Sequence, residues 1–144
     1  MYKRQLRGLL LHGKNGNEKA AIEDFSFVCK HPNFDHYGDT VGYRANAYMQ
    51  IKDYPHALAD YTTLIKLSPG DDNLRRQRAV VYELMGNFPK AVEDYTAAIE
   101  LAQTESAPSY AARARCYEKL GKKDLAQRDL AKSKKLKESE VNQF

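Results

Sequence analysis

The sequence lacks the features that mark a secreted, membrane-spanning or catalytic protein. Its 144 residues include no Trp and only two Cys, too few for a disulfide framework, which favours a reduced, intracellular setting. No stretch approaches the roughly 20 apolar residues that a membrane span needs, and the N-terminus shows no signal-peptide pattern. We therefore expect no membrane span and a cytoplasmic location, and we leave open a removed signal or a longer parent chain.

Apolar residues are plentiful, and the charge is uneven. The chain is 42% hydrophobic and 10% aromatic, enough to bury a core. The net charge of +4 arises in residues 122–138, which hold seven Lys or Arg against three Asp or Glu and leave 16 of each sign elsewhere. This distribution argues against a basic surface over the whole protein of the kind that nucleic-acid binders present. The local cations are Lys122, Lys123, Arg128, Lys132, Lys134, Lys135 and Lys137.

Two sets of markers recur along the chain at steps of 34 to 36 residues. The first set is an Ala followed three residues later by an Asp: Ala21 and Asp24, Ala57 and Asp60, Ala91 and Asp94, Ala126 and Asp129. The second set is Arg-Ala followed three residues later by Tyr: Arg44, Ala45 and Tyr48; Arg78, Ala79 and Tyr82; Arg113, Ala114 and Tyr117. Periods of this length indicate a repeat protein.

Apolar residues within each repeat fall at three- and four-residue spacing, which predicts two helices per repeat. We expect helices over 2–13, 17–30, 38–51, 54–67, 72–85, 88–102, 106–120 and 122–138. Asp53 and Asn87, each two residues before a Pro, are predicted helix caps. Counting back 36 residues from Ala45 and Tyr48 gives Leu9 and His12, so the first repeat is expected to have lost the small residue and the aromatic.

The order of turn, Ala and aromatic in residues 53–69, DYPHALADYTTLIKLSP, and 86–95, GNFPKAVEDY, resembles the tetratricopeptide repeat. The resemblance implies an all-α, right-handed α-solenoid of antiparallel helical hairpins. We expect a single domain over 1–144 with units 2–37, 38–71, 72–106 and 107–138, in which the last helix is also the C-terminal cap. The family further implies a concave groove, lined by the first helices, that accepts an extended peptide or a partner helix. The predicted function is a non-catalytic scaffold for protein–protein interaction.

Helical spacing also predicts which residues line this groove. If Ala45 and Tyr48 face the second helix of their hairpin, the neighbouring stripe of each first helix faces the groove. The candidate binding residues are Arg7, Tyr43, Asn46, Gln50, Asn73, Arg76, Gln77, Glu83, Arg115 and Lys119, with Lys3, Leu10, Lys14, Asp39, Val80 and Ala112 beside them. Asn and Gln can pair with a peptide backbone, and Arg and Lys can hold carboxylates. The expected partner is therefore a protein or peptide, with acidic character as the first guess.

Other residues of possible chemical interest receive structural interpretations. Arg44, Arg78 and Arg113 are expected to form ion pairs with the repeated Asp residues rather than to bind phosphate. Cys29, His31, Asp35 and His36 surround the longest connection, but their spacing matches no zinc site. No phosphate loop or nucleophile elbow is present. We expect no catalytic residue, no metal and no cofactor.

Two alternative functions stay open. The basic last helix predicts binding to an acidic surface or a nucleic acid, although its cations spread around the helix without stacking aromatics. The first repeat matches the marker pattern only in part, which predicts self-association into a homo-oligomer, since an uncovered apolar helix pair is stabilised by packing against another chain.

Overall fold

The computed structural model describes residues 1–12 and 17–141, which fold entirely into helices and connections without any strand. The helices are α1 (Tyr2–Leu11), α2 (Glu18–Val28), α3 (Tyr37–Gln50), α4 (Tyr54–Leu67), α5 (Asp72–Leu84), α6 (Phe88–Leu101), α7 (Ala107–Lys119) and α8 (Lys123–Val141). All eight predicted helices are confirmed to within three residues at each described boundary. Residue 13 of the first predicted helix and Lys14 lie outside the described residues.

The helices form two compact units, and in each unit consecutive helices pack against one another. Unit 1 (Met1–Pro69) contains α1 to α4, and unit 2, which begins at Gly70, contains α5 to α8. Each unit therefore holds two hairpins, α1–α2 and α3–α4 in unit 1, and α5–α6 and α7–α8 in unit 2. Short connections between neighbouring helices make the pairs antiparallel.

The alanines that recur in the repeats are buried in the core. Ala45, Ala57, Ala79, Ala91 and Ala114 are all fully buried. The aromatic after the repeated Asp is buried as well in three repeats, as Phe25, Tyr61 and Tyr95. Small residues permit close helix contact and the large ring fills the space beside it, as close packing requires.

Helix starts are fixed by side-chain caps. The Asp53 carboxylate accepts a hydrogen bond from the backbone N–H of His56, and the Asn87 side chain accepts one from Lys90, both at 3.4 Å. These two predicted caps are confirmed, and Asp71 caps α5 in the same way through Asn73 at 2.9 Å. The short polar acceptor satisfies an amide that has no partner within the helix.

The turn inside each of three hairpins contains one residue in the left-handed backbone region. Gly86 and Gly121 occupy it with φ of 73° and 71°, and Lys52 occupies it with φ of 61°. Glycine adopts this conformation without steric cost, whereas a side chain opposes it. The α3–α4 turn thus carries local strain that the turns of unit 2 avoid.

In the second, third and fourth hairpins, a bidentate ion pair joins the first helix to the second. The pairs are Arg44–Asp60, Arg78–Asp94 and Arg113–Asp129, with nitrogen–oxygen distances of 2.7 to 2.9 Å. The hydrogen bonds donated to these carboxylates are the largest cause of the raised pKa of Arg78 and Arg113. The structural interpretation of the repeated arginines is confirmed.

The first hairpin carries the same ion pair, but one residue earlier than counting predicts. The Arg7 guanidinium donates through two nitrogens to the Asp24 carboxylate. The next residue, Gly8, is buried, and a Cβ placed there would lie 2.6 Å from Phe25 Cε1. The expected loss of the small residue is therefore wrong: one additional residue in the first period shifts the register, and Gly8 takes the place of alanine. Leu11 stands where later repeats have Tyr, so only the aromatic is missing.

Arginines also link successive hairpins within a unit. Arg44 Nη1 donates to Ser26 Oγ at 3.3 Å, so that α3 is joined to α2. In unit 2, Arg113 Nη1 donates to Thr96 Oγ1 at 3.0 Å and joins α7 to α6. Each of these arginines thus contacts the Asp of its own hairpin and a hydroxyl on the hairpin before it.

Candidate functional site

Unit 2 contains a pocket of about 310 Å³ to which α5, α6 and α7 contribute side chains. Its lining residues are Asn73, Arg76, Gln77, Val80, Tyr95, Pro108, Ser109, Ala112 and Arg115. Four of the predicted groove residues, Asn73, Arg76, Gln77 and Arg115, therefore meet at one site. Val80 and Ala112, predicted to lie beside them, line it as well.

The floor of the pocket is apolar and belongs to the core of unit 2. Tyr95 and Ala112 are buried in one cluster with Ala79, Ala91 and Cys116. Val80 is more exposed and stands at the pocket wall. Such a floor can accept an aliphatic side chain, since ligand pockets are commonly apolar with a few polar groups at their edges.

Three lining residues were missed at the level of sequence. Tyr95 was not among the candidates because it lies on a second helix, yet it lines the pocket. Pro108 and Ser109 precede Ala112 by four and three residues and so share its helix face. The same spacing rule, extended by one turn toward the helix start, identifies both.

Glu83 connects two lining residues by hydrogen bonds. Arg115 donates from Nε to Glu83 Oε1 at 3.1 Å and from Nη2 to Oε2 at 3.4 Å, and the Tyr95 hydroxyl donates to Oε2 at 3.0 Å. The hydrogen bond to Glu83 is the main cause of the raised pKa of Arg115. The pKa of Tyr95 is also raised, first by burial and then by the negative charge of Glu83. The hydroxyl therefore stays protonated and fixes the carboxylate.

The second arginine of the pocket has an acidic partner too. Arg76 Nε lies 3.5 Å from Asp72 Oδ2, one helical turn away, and its Nη2 donates to Asn73 Oδ1 at 3.2 Å. Each pocket arginine is thus balanced by a carboxylate of the same chain. These pairings reduce the positive charge that a ligand carboxylate meets at the pocket.

The remaining candidate residues lie outside this pocket. Tyr43 stacks on Phe25 with ring centroids 5.9 Å apart, and Asn46 accepts a hydrogen bond of 2.8 Å from the Tyr61 hydroxyl. Arg7 is held by Asp24, as described above. Gln50 and Lys119 are exposed at the ends of α3 and α7. Their role in binding stays a prediction.

The long connection between α2 and α3 packs through its rings. The His31 ring packs edge-on against Phe27 and the His36 ring against Phe34, with centroid distances of 6.0 and 5.9 Å. Within residues 1–12 and 17–141, no group of three or more His, Cys, Asp or Glu is arranged to hold a metal ion. Among the same residues, no helix has both the length and the apolar character that crossing a membrane requires.

Sequence comparison identifies the family. Two tetratricopeptide repeat profiles match residues 45–112 and 107–140, which together cover about two thirds of the chain. The protein belongs to the tetratricopeptide repeat family, whose fold is typically non-catalytic. Membership supports, in general terms, a scaffold that interacts with other proteins. No curated protein matches the sequence.

Solved structures of MamA share the fold. One MamA crystal structure superimposes with a TM-score of 0.84 at 20% identity, over 98% of this chain and 80% of its own. MamA from Desulfovibrio magneticus RS-1 gives 0.83 at 19% identity, over 96% and 76% of the two chains. MamA AMB-1 gives 0.81 at 20% identity, over 94% and 72%. This similarity confirms the predicted fold class, an all-α solenoid of helical hairpins.

Proposed function

We propose that this protein is a non-catalytic scaffold and that its unit 2 pocket binds one aliphatic side chain of a partner protein's peptide segment. The observation that carries the proposal is the set of three apolar lining residues, Tyr95, Ala112 and Val80, next to side-chain amides and guanidinium groups. A volume of about 310 Å³ accommodates one or two side chains rather than a folded domain. The partner therefore presents an extended segment or one face of a helix.

The polar edge of the pocket supports recognition of a peptide backbone. The Asn73 and Gln77 side chains are exposed on α5 above the floor, and each offers both a donor and an acceptor. Backbone recognition of this kind does not depend on the sequence of the ligand. Selectivity then rests on the side chain that enters the floor.

Acidic character of the ligand contributes less. A ligand carboxylate has to share Arg115 with Glu83, and Arg76 with Asp72, because both arginines are already paired. Placing a ligand carboxylate beside an arginine that is already paired adds little to the free energy of binding, because the cost of desolvating the carboxylate offsets most of the attraction. We therefore propose that an acid flanking the aliphatic residue improves affinity modestly and is not essential.

The test begins with selection of binders from a random 12-residue peptide library against the complete chain. Selected peptides are synthesised, and their affinity is measured by fluorescence polarisation for wild type, Val80→Arg and Leu101→Arg. Val80→Arg fills the pocket, whereas Leu101 is exposed at the end of α6 and not among the lining residues, so it controls for the added charge. Helicity and thermal stability of both variants are compared by circular dichroism.

We expect selected peptides to share an aliphatic residue and Val80→Arg to weaken them by about tenfold or more, as for loss of a central contact. Leu101→Arg should bind like wild type. Failure to enrich any peptide, or equal binding by Val80→Arg and wild type, contradicts the proposal.

Binding of an acidic surface or nucleic acid through α8 is the weaker proposal. Lys132 Nζ already lies 2.6 Å from Glu105, and Lys134 Nζ lies 3.9 Å from Glu138 one turn away. The hydrogen bond from Lys132 is the main cause of the lowered pKa of Glu105, which stays ionised as a partner. These pairings reduce the positive charge that α8 offers to a polyanion.

A further inference from the structure

The first helix exposes an apolar stripe on one face. Tyr2, Leu6 and Leu10 follow one another at four-residue spacing and are 58%, 44% and 68% exposed. Residues four apart on a helix lie on the same side. Leu10 is the most exposed of the large hydrophobic residues in the described part of the chain.

The equivalent positions in other hairpins show whether this helix face is normally buried. Aligning the hairpins on their Arg–Asp pairs places Leu10, three residues after Arg7, at the position of Ala47 after Arg44 and Cys116 after Arg113. Ala47 and Cys116 are both fully buried. The position is therefore a packing position in the repeat, and only in α1 does it hold an exposed leucine.

The neighbouring position gives the same result and identifies the covering element. Leu6 corresponds to Tyr43 in α3 and to Ala112 in α7. Tyr43 stacks on Phe25 of α2, and Ala112 packs in a cluster with Tyr95 of α6. In both units, the second helix of the preceding hairpin covers this face with an aromatic ring.

The covering helix carries a second recurring feature, a hydroxyl directly after the aromatic. Ser26 follows Phe25 and accepts a hydrogen bond from Arg44, while Thr96 follows Tyr95 and accepts one from Arg113. Arg7 is the corresponding arginine of α1, and its side chain is 65% exposed. A helix covering α1 with the same geometry places a Ser or Thr beside Arg7.

Charge restricts the occupant further. Lys3 and Arg7 flank the apolar stripe, and residues 1–12 contain no Asp or Glu. The two covering helices within the units are both acidic: α2 has three acidic residues against one Lys, and so has α6. An acidic helix therefore complements α1, whereas a basic one is repelled.

A second copy of the chain fits this surface poorly. The second helix that remains uncovered in unit 2 is α8, where Leu130, 43% exposed, holds the position of the buried Phe25 and Tyr95. Ala131 follows it in place of the hydroxyl, and the helix carries the excess of Lys and Arg. Both the missing acceptor and the like charge disfavour packing of α8 on α1.

We propose that the Tyr2–Leu6–Leu10 face of α1 binds an acidic amphipathic helix of a partner protein, which presents an aromatic residue followed by Ser or Thr and takes the place of a preceding hairpin's second helix. This surface lies in unit 1 and is independent of the unit 2 pocket proposed above. The partner helix extends the repeat by one element.

The test uses a defined probe, a fluorescein-labelled peptide with the sequence of residues 88–102, which is acidic and contains the Tyr95-Thr96 pair. A hydrocarbon staple on the face opposite Tyr95 keeps it helical, because isolated helices of this length are marginal in water. Binding to the complete chain is measured by fluorescence polarisation for wild type, Leu10→Glu and Leu67→Glu. Leu67 is exposed at the end of α4 and receives the same charge change.

We expect wild type and Leu67→Glu to bind alike and Leu10→Glu to bind about tenfold or more weakly, since the substitution places a charge in the contact and opposes the acidic probe. A probe with Thr96→Val should lose about threefold through the missing acceptor for Arg7. Leu10 is largely exposed, so folding should be preserved, and unchanged circular dichroism melting checks this.

Several outcomes overturn the proposal. Absence of probe binding does so, as does binding that Leu10→Glu leaves unchanged, which is the expected result if the probe replaces α6 in its own hairpin. Sedimentation of wild type alone as a Leu10-dependent oligomer assigns the face to a second copy. Leu10-dependent binding to phosphatidylcholine–phosphatidylserine vesicles without probe binding assigns it to a lipid surface.

Discussion

The first hairpin of unit 1 and the last hairpin of unit 2 contain the same ion pair in different surroundings. Arg7 and Arg113 each form a bidentate ion pair, with Asp24 and Asp129 respectively. The Arg7 side chain is 65% exposed, whereas that of Arg113 is only 15% exposed. Arg113 donates a further hydrogen bond to Thr96, a residue of the hairpin before it. Identical ion pairs thus contribute differently to stability, because the neighbouring hairpin, rather than the pair itself, determines how deeply the arginine is buried.

The largest expected effect separates these two pairs. Arg113→Met should destabilise the protein by about 3 kcal/mol, because it leaves the buried Asp129 without a counter-charge. Arg7→Met should cost clearly less than Arg113→Met, because Arg7 is largely exposed and its removal opens Asp24 to water. Urea unfolding followed by circular dichroism measures both, and equal losses contradict the comparison.

An intermediate effect concerns the small residue beside each arginine. Gly8→Ala should destabilise by about 2 kcal/mol despite the better helix propensity of Ala, because the new Cβ overlaps the buried Phe25 ring. Ala114→Gly, at the equivalent position, should cost only about 1 kcal/mol through backbone entropy. The double variant Gly8→Ala/Phe25→Leu is the control. If the smaller side chain fails to recover part of the loss seen in thermal melts, the predicted clash is not its cause.

The smallest effect concerns the turns. Lys52→Gly should stabilise the protein by about 1 kcal/mol by relieving the left-handed conformation, and Gly86→Lys should destabilise it by a similar amount. The space around Gly86 is open, so the cost at that site is one of backbone conformation and not of contact. Melting temperatures that move in the same direction for both variants would be incompatible with this account.

The organisation of the helical hairpins could be predicted from the sequence because each recurring residue has one physical role. Ala45 and Ala57 had to be small for helices to touch, Asp53 and Asn87 had to cap, and Arg44 and Asp60 had to neutralise each other in a buried place. Local spacing determines all of these relationships. The helix boundaries and the structural role of the arginines followed from them.

The first repeat and the pocket were harder to predict for different reasons. A single extra residue moved the small position from Leu9 to Gly8, and counting with a fixed period conceals such a shift. An Arg about 16 residues before each repeated Asp is the signal that identifies Arg7. The contact between Glu83 and Arg115 joins residues 32 positions apart, and no local rule indicates which side chains meet across that separation.

The position of Tyr95 limits how the proposed ligand preference of this protein can change during evolution. Tyr95 is part of the unit 2 core and also lines the pocket, so any replacement there would alter folding together with the proposed recognition. Asn73 and Gln77 at the edge are exposed and contribute little to the core. If the pocket binds as proposed, its edge can change without loss of the fold, whereas the proposed preference for an aliphatic residue can change only together with the core.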